Sequence, residues 1–285
     1  MRSEVKSRTL FLTYLRANPD MRLNIEHHIH YAYPDAVDYT IQQLHLTPRD
    51  GFGQRVKNWE IRVNGRMQPY ADTYGNLTHT LVVDGLHSTV DITASGEVET
   101  ELDIFPFPES LPLQVYLRAT RFTSVDQKLA EFACMFGIPD AELDQIGVQA
   151  LMHAIQDHVV HETGSPEKNT TAAEAFATGS GDSRDRTHVF IACCRHLGVP
   201  ARYVSGYMFN SGKQTVDNHS WADVWVEGEW QSYDIYSCQR TNGIHIRLAV
   251  GLDGREASLV NAVSYNGSTS SSYGGAVIRH GTVPQ

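Results

Sequence analysis

The sequence predicts an α+β protein: an N-terminal antiparallel β-sandwich, then a core of helices packed on an antiparallel sheet. Three observations carry this. Between residues 21 and 105 apolar and polar residues alternate in short runs separated by turn residues. Past Phe105-Pro-Phe-Pro108 and Pro112 the period becomes helical. From Arg202 it returns to that of strands.

Leu23, Ile25, His27, Ile29 and Tyr31 alternate with polar residues as a half-buried strand requires. Further runs lie at Trp59–Val63, Thr78–Val83, Ser88–Ala94 and Glu97–Leu102. Asn64-Gly65, Tyr74-Gly-Asn76, Asp84-Gly85 and Ser95-Gly96 read as the turns between them. Strands at this spacing make a sandwich over 21–105. The Pro-rich stretch is the linker to a core spanning 106–265. A helix starts at Ser124 with a plausible cap, and a longer amphipathic one runs from Asp144 to Glu162. Thr170 or Thr171 caps a short helix over Ala172–Ala177. After the loop Gly179-Ser-Gly181, a helix runs from Ser183 to Leu197, stopped by Gly198 and Pro200. Strands follow at Arg202–Phe209, Ser220–Val226 and Trp230–Asp234, the last two joined by a Glu227-Gly-Glu229 turn. Residues 1–20 read as a leader or disordered extension, and the Ser/Gly-rich residues 266–285 as a loose tail.

The chain has 285 residues, 41% hydrophobic and 20% charged, as in a soluble globular protein. Its formal charge of -10 argues against nucleic acid or an anionic membrane as partner. Apolar runs fall short of the roughly 20 residues that span a bilayer. Arg16 interrupts the stretch from Leu10, and no cleavage site follows, so a cytoplasmic protein is expected. Cys134, Cys193, Cys194 and Cys238 fit neither a zinc ribbon nor a disulfide framework and read as reduced thiols. No cofactor is expected. The oligomeric state is not readable.

Ser183, His219 and Asp234 carry the chemistry. A helix start stabilises developing negative charge and offers free N–H groups to an oxyanion, which suits a nucleophile at Ser183. His219, in the strand Asn218-His-Ser-Trp-Ala-Asp-Val-Trp225, suits a general base. A tight hairpin brings Asp234 beside it, where a carboxylate fixes the imidazole tautomer. Singly, each residue has a plainer role: a capping serine, a structural histidine, a turn-forming aspartate. Trp221 shares a face with His219 and lines the cleft or the core. Asp182 adjoins the nucleophile on the oxyanion side. Asp185 and His188 serve packing and supporting hydrogen bonds. Cys193 and Cys194 belong to the core; Cys238 lies near the cleft or is structural. His28 and His30 share a strand face, and His153, Asp157 and His161 share a helix face; both sets read as non-metal polar surface.

The segments GDSRDRTHVFIACCRHLGVPARYVSGY (181–207) and NHSWADVWVEGEWQSYD (218–234) resemble the bacterial transglutaminase-like superfamily, whose core is papain-like. The resemblance extends to Gly243-Ile-His-Ile-Arg-Leu-Ala-Val-Gly251 and, in the β-rich region, to the Asp72-Thr-Tyr-Gly-Asn76 turn. It implies a nucleophile at 183, a base at His219 and an orienting acid at Asp234, acting on a peptide or protein amide. Three positions depart from the family pattern. Ser183 stands where the family has cysteine, Asp234 precedes Ile-Tyr rather than Pro-Thr, and Leu252-Asp-Gly-Arg-Glu256 replaces Arg-Asp-Tyr-Ala-Asp.

The first departure bears on activity. A thiol starts at a pKa of about 8.5 and is readily lowered, whereas a serine must lose its proton to a base during attack. Three explanations stand: a deliberate Cys-to-Ser change, a natural serine hydrolase, or a pseudoenzyme that binds without cleaving. The reading is an acyl-transfer protein, most simply a cysteine-protease-type amide hydrolase carrying serine; the alternative is an inactive peptide- or protein-binding module.

Overall fold

The computed structural model describes residues 21–279 except 103, 105–110, 140, 142, 163–168, 213–214, 267–268 and 272–275. The expected leader, the whole Phe105–Pro108 stretch of the linker and the last six residues lie outside that set.

The N-terminal region contains β1 (Met21–Thr47), β2 (Arg55–Val63), β3 (Arg66–Ala71) and β4 (Leu77–Thr100). Strands β1 and β4 are far longer than the alternating runs. They pair antiparallel along most of their length, with register shifts between Ala32 and Val37 and between Leu44 and Thr47. Flanking strands join different halves of this hairpin: β2 pairs with Ile92–Glu99, β3 with Leu77–Val82. One core cluster unites Ile29, Tyr31, Val90 and Ile92 from one half with Leu44, Leu46, Leu81 and Val83 from the other. The two layers of the sandwich are therefore halves of the same two strands.

Two of the expected turns are absent. Asp84-Gly85 and Ser95-Gly96 lie inside β4, where Gly85 takes a φ of 92° and leaves the strand running. At Gly96 a Cβ would collide with the Asn58 carbonyl and Trp59, so glycine there marks close approach of β2.

The core begins with a 3-10 turn at Leu113–Leu117, then α1 (Gln127–Ala133), α2 (Gln145–His158), β5 (Val160–His161), α3 (Ala172–Thr178), β6 (Ser180–Gly181) and α4 (Ser183–His196). The cap of α1 is Asp126, whose carboxylate accepts the Leu129 N–H, and not Ser124. Thr171 caps α3 in a reciprocal box with Glu174. Helix α2 ends four residues before the expected Glu162. Val159 turns extended, and β5 then pairs parallel with β6. His161 therefore leaves the helix, and His153, Asp157 and His161 do not form one helical stripe.

Strands β7 (Ala201–Asn210), β8 (Thr215–Val226), β9 (Glu229–Asp234), β10 (Gln239–Arg240) and β11 (His245–Gly251) form an antiparallel sheet in the order β10-β9-β8-β7-β11. Ala201, Tyr203, Ala222, Val224 and Tyr233 on one face pack with Val189, Phe190, Cys193 and Cys194 of α4. The other face carries Arg202, Asp223, Ser232 and Arg247, with Phe52 of the N-terminal region stacked on both guanidiniums. Gln54 clamps Arg247 from the same side, accepting its N–H and donating to its carbonyl. The helix-bearing sheet is thus fixed against the β-region through a buried polar layer.

Strands β12 (Val260–Asn266), β13 (Thr269–Ser271) and β14 (Ala276–Arg279) correct the expectation of a loose tail from 266. Strands β12 and β14 pair with β1, so the C-terminal segment completes the N-terminal sheet. Among the described residues no helix is long and apolar enough to cross a membrane.

Candidate active site

The tip of α4 is organised by its acidic residues. Asp182 is the cap: its carboxylate accepts the N–H groups of Arg184 and Asp185, and Asp185 returns the bond by accepting the Asp182 N–H. Arg184 closes over Asp182 through Nε and Nη2 at 3.0 and 2.8 Å. Burial opposes ionisation of Asp182, but Arg184 and the two backbone donors outweigh it and lower its pKa. Ser183 is consequently the first residue inside the helix and not its cap. Among the described residues nothing engages its hydroxyl or its own N–H.

His219 and Asp234 come together because the β8–β9 hairpin closes in two residues. Glu227 and Gly228 have φ of 55° and 85°, as a type I′ turn requires. The resulting register pairs Ala222 with Tyr233, placing Asp234 diagonally across from His219. His219 Nε2 lies 3.0 Å from Asp234 Oδ1, close enough for an ion pair though off the axis of a straight hydrogen bond. Both side chains are buried, the aspartate completely. Oδ1 also accepts the N–H groups of Tyr236 and Ser237; Oδ2 accepts the Ser237 hydroxyl at 2.5 Å and faces His245 Nε2 at 3.0 Å. Burial alone would raise the Asp234 pKa, but His219, His245 and Ser237 together hold it far below the usual carboxylate range.

The helix tip is tied to these strands. Thr187 Oγ1, one turn beyond Ser183, donates to the Ser183 carbonyl at 2.7 Å and lies 3.4 Å from the carbonyl of Ser220, the neighbour of His219. Arg186 reaches the Tyr236 carbonyl and ring, and that ring stands edge-on to His219 at 5.5 Å. No hydrogen bond joins the Ser183 hydroxyl to the imidazole among the described residues.

Trp221 stacks beside His219 at 6.3 Å, packs on Val204 and Val250, and lines a cavity of about 360 Å³ with His245. His188 packs against Tyr203 of β7, ring to ring at 5.0 Å. It stacks on Phe122, accepts the Gly254 N–H, and is pushed down to about 4 by burial. Cys193 and Cys194 are fully buried; burial pushes Cys194 up to about 12 and Cys193 well above its ordinary value. Cys238 is half-buried, with Sγ 3.0 Å from His153 Nδ1. His28 and His30 pair with Glu26 and Asp91 at the surface. One buried group among the described residues has metal-ligand spacing: His219, Asp234 and His245. Sequence reasoning passed over His245. Nothing local to residue 245 points to Asp234.

Residues 23–99 match the bacterial transglutaminase-like N-terminal region, and residues 139–235 match the transglutaminase-like superfamily core. The chain belongs to the transglutaminase-like superfamily. The second match spans Ser183 and His219 and ends one residue past Asp234. This transglutaminase-like chain is 25% identical over 286 residues to the uncharacterized protein Rv2569c of Mycobacterium tuberculosis, covering 88% of this chain and 90% of that one. It is 24% identical over 251 residues to the uncharacterized protein ML0607 of Mycobacterium leprae, covering 81% and 89%. In fold it is similar to a proposed cysteine protease from Cytophaga hutchinsonii, with a TM-score of 0.71, 20% identity, and 92% and 91% of the two chains covered.

Proposed function

We propose that this transglutaminase-like chain transfers acyl groups from a peptide or protein amide, with Ser183 as nucleophile, His219 as base and Asp234 as orienting acid. The observation that supports it is a buried imidazole 3.0 Å from an ionised carboxylate, tied to a helix tip whose first residue is unengaged. In the proposed reaction Ser183 Oγ attacks the amide carbon while its proton passes to His219. The Ser183 N–H, not needed for capping, donates to the oxyanion. Asp234 stabilises the imidazolium, which then protonates the departing amine. Water attacks the resulting ester with His219 again as base, restoring the serine. An amine in place of that water would give transfer instead of hydrolysis.

The neighbours take supporting roles in this reading. Arg184 neutralises Asp182 beside the oxyanion position, Asp185 completes the cap, His188 fixes the far side of α4, and Trp221 walls the imidazole. All four cysteines are free thiols, which supports a cytoplasmic setting. A second reading, a peptide-binding module without turnover, draws on the missing hydrogen bond between Ser183 and His219.

A fluorophosphonate probe separates the two. Labelling at Ser183 that is lost in His219→Ala supports the enzyme. An unlabelled chain that also gains no amide turnover in Ser183→Cys would refute acyl transfer and leave binding.

A further inference from the structure

Asp234 is held by two imidazoles, and only one is accounted for by the triad. His245, at the start of β11, is 2% exposed and places Nε2 3.0 Å from Asp234 Oδ2. Its other nitrogen, Nδ1, receives the Asn242 backbone N–H at 3.2 Å. Asn242 Oδ1 is 3.3 Å from the same nitrogen but takes the Ile244 N–H. A main-chain N–H is only a donor, so Nδ1 is the acceptor. A neutral imidazole has one proton, which therefore sits on Nε2 and is donated to Oδ2. Trp221, edge-on at 5.5 Å, locks the ring in that orientation.

We infer that His245 is a positioning residue for the triad carboxylate, an inference that rests on the triad reading above. With the Ser237 hydroxyl it occupies Oδ2, so Oδ1 is the oxygen presented to His219. Without it, the carboxylate loses one of the two donors on Oδ2, and the His219 tautomer loses part of its anchor. The same three side chains have the spacing of a metal site. A cation on His245 would need a lone pair at Nε2 while Nδ1 also accepts, and no neutral tautomer supplies both.

The test uses the full chain with ¹⁵N-labelled histidine. NMR of the wild type shows His245 protonated on Nε2 and bare on Nδ1. In His245→Leu the His219 Nε2–H exchanges with solvent about tenfold faster or more, and fluorophosphonate labelling of Ser183 slows by about tenfold. His245→Gln, which keeps an N–H donor near the lost Nε2, restores both to within about threefold; a role confined to packing would not restore them. A His245 proton on Nδ1, an unchanged His219 N–H in His245→Leu, or Zn²⁺ that displaces the Nε2 protons at micromolar concentration would overturn the inference. The expected NMR pattern in a chain that leaves Ser183 unlabelled would sink the acyl-transfer reading and spare the hydrogen-bond assignment.

Discussion

Replacing Asp223 by alanine tests whether the buried charge layer holds the two regions together. The carboxylate is fully buried and takes four bonds: Arg202 Nε at 2.9 Å, Arg247 Nη1 and Nη2 at 2.7 Å each, and the Ser232 hydroxyl at 2.7 Å. Burial works against its charge, yet Arg247 and Arg202 outweigh burial and lower the pKa to about 2. Alanine leaves two guanidiniums buried without this counter-ion. The stacking of Arg202 on Trp230 and of Arg247 on Phe52 exists in both forms and offsets nothing. Removing one partner of a buried ion pair costs about 3–5 kcal/mol. The depressed pKa accounts for roughly 2–3 kcal/mol of that. With m of ~3 kcal/mol/M, the urea midpoint falls by about 1 M or more, read by tryptophan fluorescence. Because the folded pKa lies below the unfolded value, this stabilisation is full above pH ~4 and is lost as pH falls through about 2. The gap between wild type and variant should therefore narrow across that window. A loss under about 1 kcal/mol at neutral pH, or a gap unchanged in acid, would refute the argument.

Three further outcomes follow from local geometry. Asp182→Ala removes the cap of α4 and should cost about 1–2 kcal/mol in thermal unfolding, whereas Ser183→Ala should cost less than about 0.5; equal losses would show that serine shares the capping. Gly96→Ala drives a methyl into the Asn58 carbonyl and Trp59 and should destabilise by roughly 1–3 kcal/mol, measured by urea unfolding. His188 is neutral in the fold down to about pH 4 because it is buried, so its contribution is present above its unfolded value near ~6.5 and is lost as pH falls toward about 4. His188→Phe should flatten the pH dependence of stability in that window, and an unchanged slope would place the effect elsewhere.

How far the fold can be read depends on what each residue reports. The α4 boundaries are legible because Asp182, Gly198 and Pro200 act locally, and the β8–β9 turn because Glu227-Gly228 fixes its geometry. The pairing of His219 with Asp234 follows from strand alternation and that turn. Asp84-Gly85 and Ser95-Gly96 mislead, because glycine serves close approach and strand irregularity as well as turns. The Ser/Gly-rich composition near the C-terminus hides strands whose partner, β1, lies more than two hundred residues away. His245 was invisible for a similar reason. Its meaning comes from a carboxylate on another strand, which only the tertiary fold supplies.

The cap assignment changes how Ser183 should be weighed. A serine at a helix start is ordinarily explained by its hydroxyl accepting an N–H two or three residues on. Here the Asp185 N–H goes to the Asp182 carboxylate and the Arg186 N–H to the Asp182 carbonyl, so the plain explanation for a hydroxyl at 183 is gone. What remains at that position is a hydroxyl and an N–H with no structural duty, on the helix turn that Thr187 ties to the strand of His219. The carboxylate that could finance a base at His219 is kept ionised far into acid by five surrounding donors. If serine is the working nucleophile, alanine at 183 should therefore abolish probe labelling while leaving the melting temperature nearly unmoved, a separation that a capping serine could not produce.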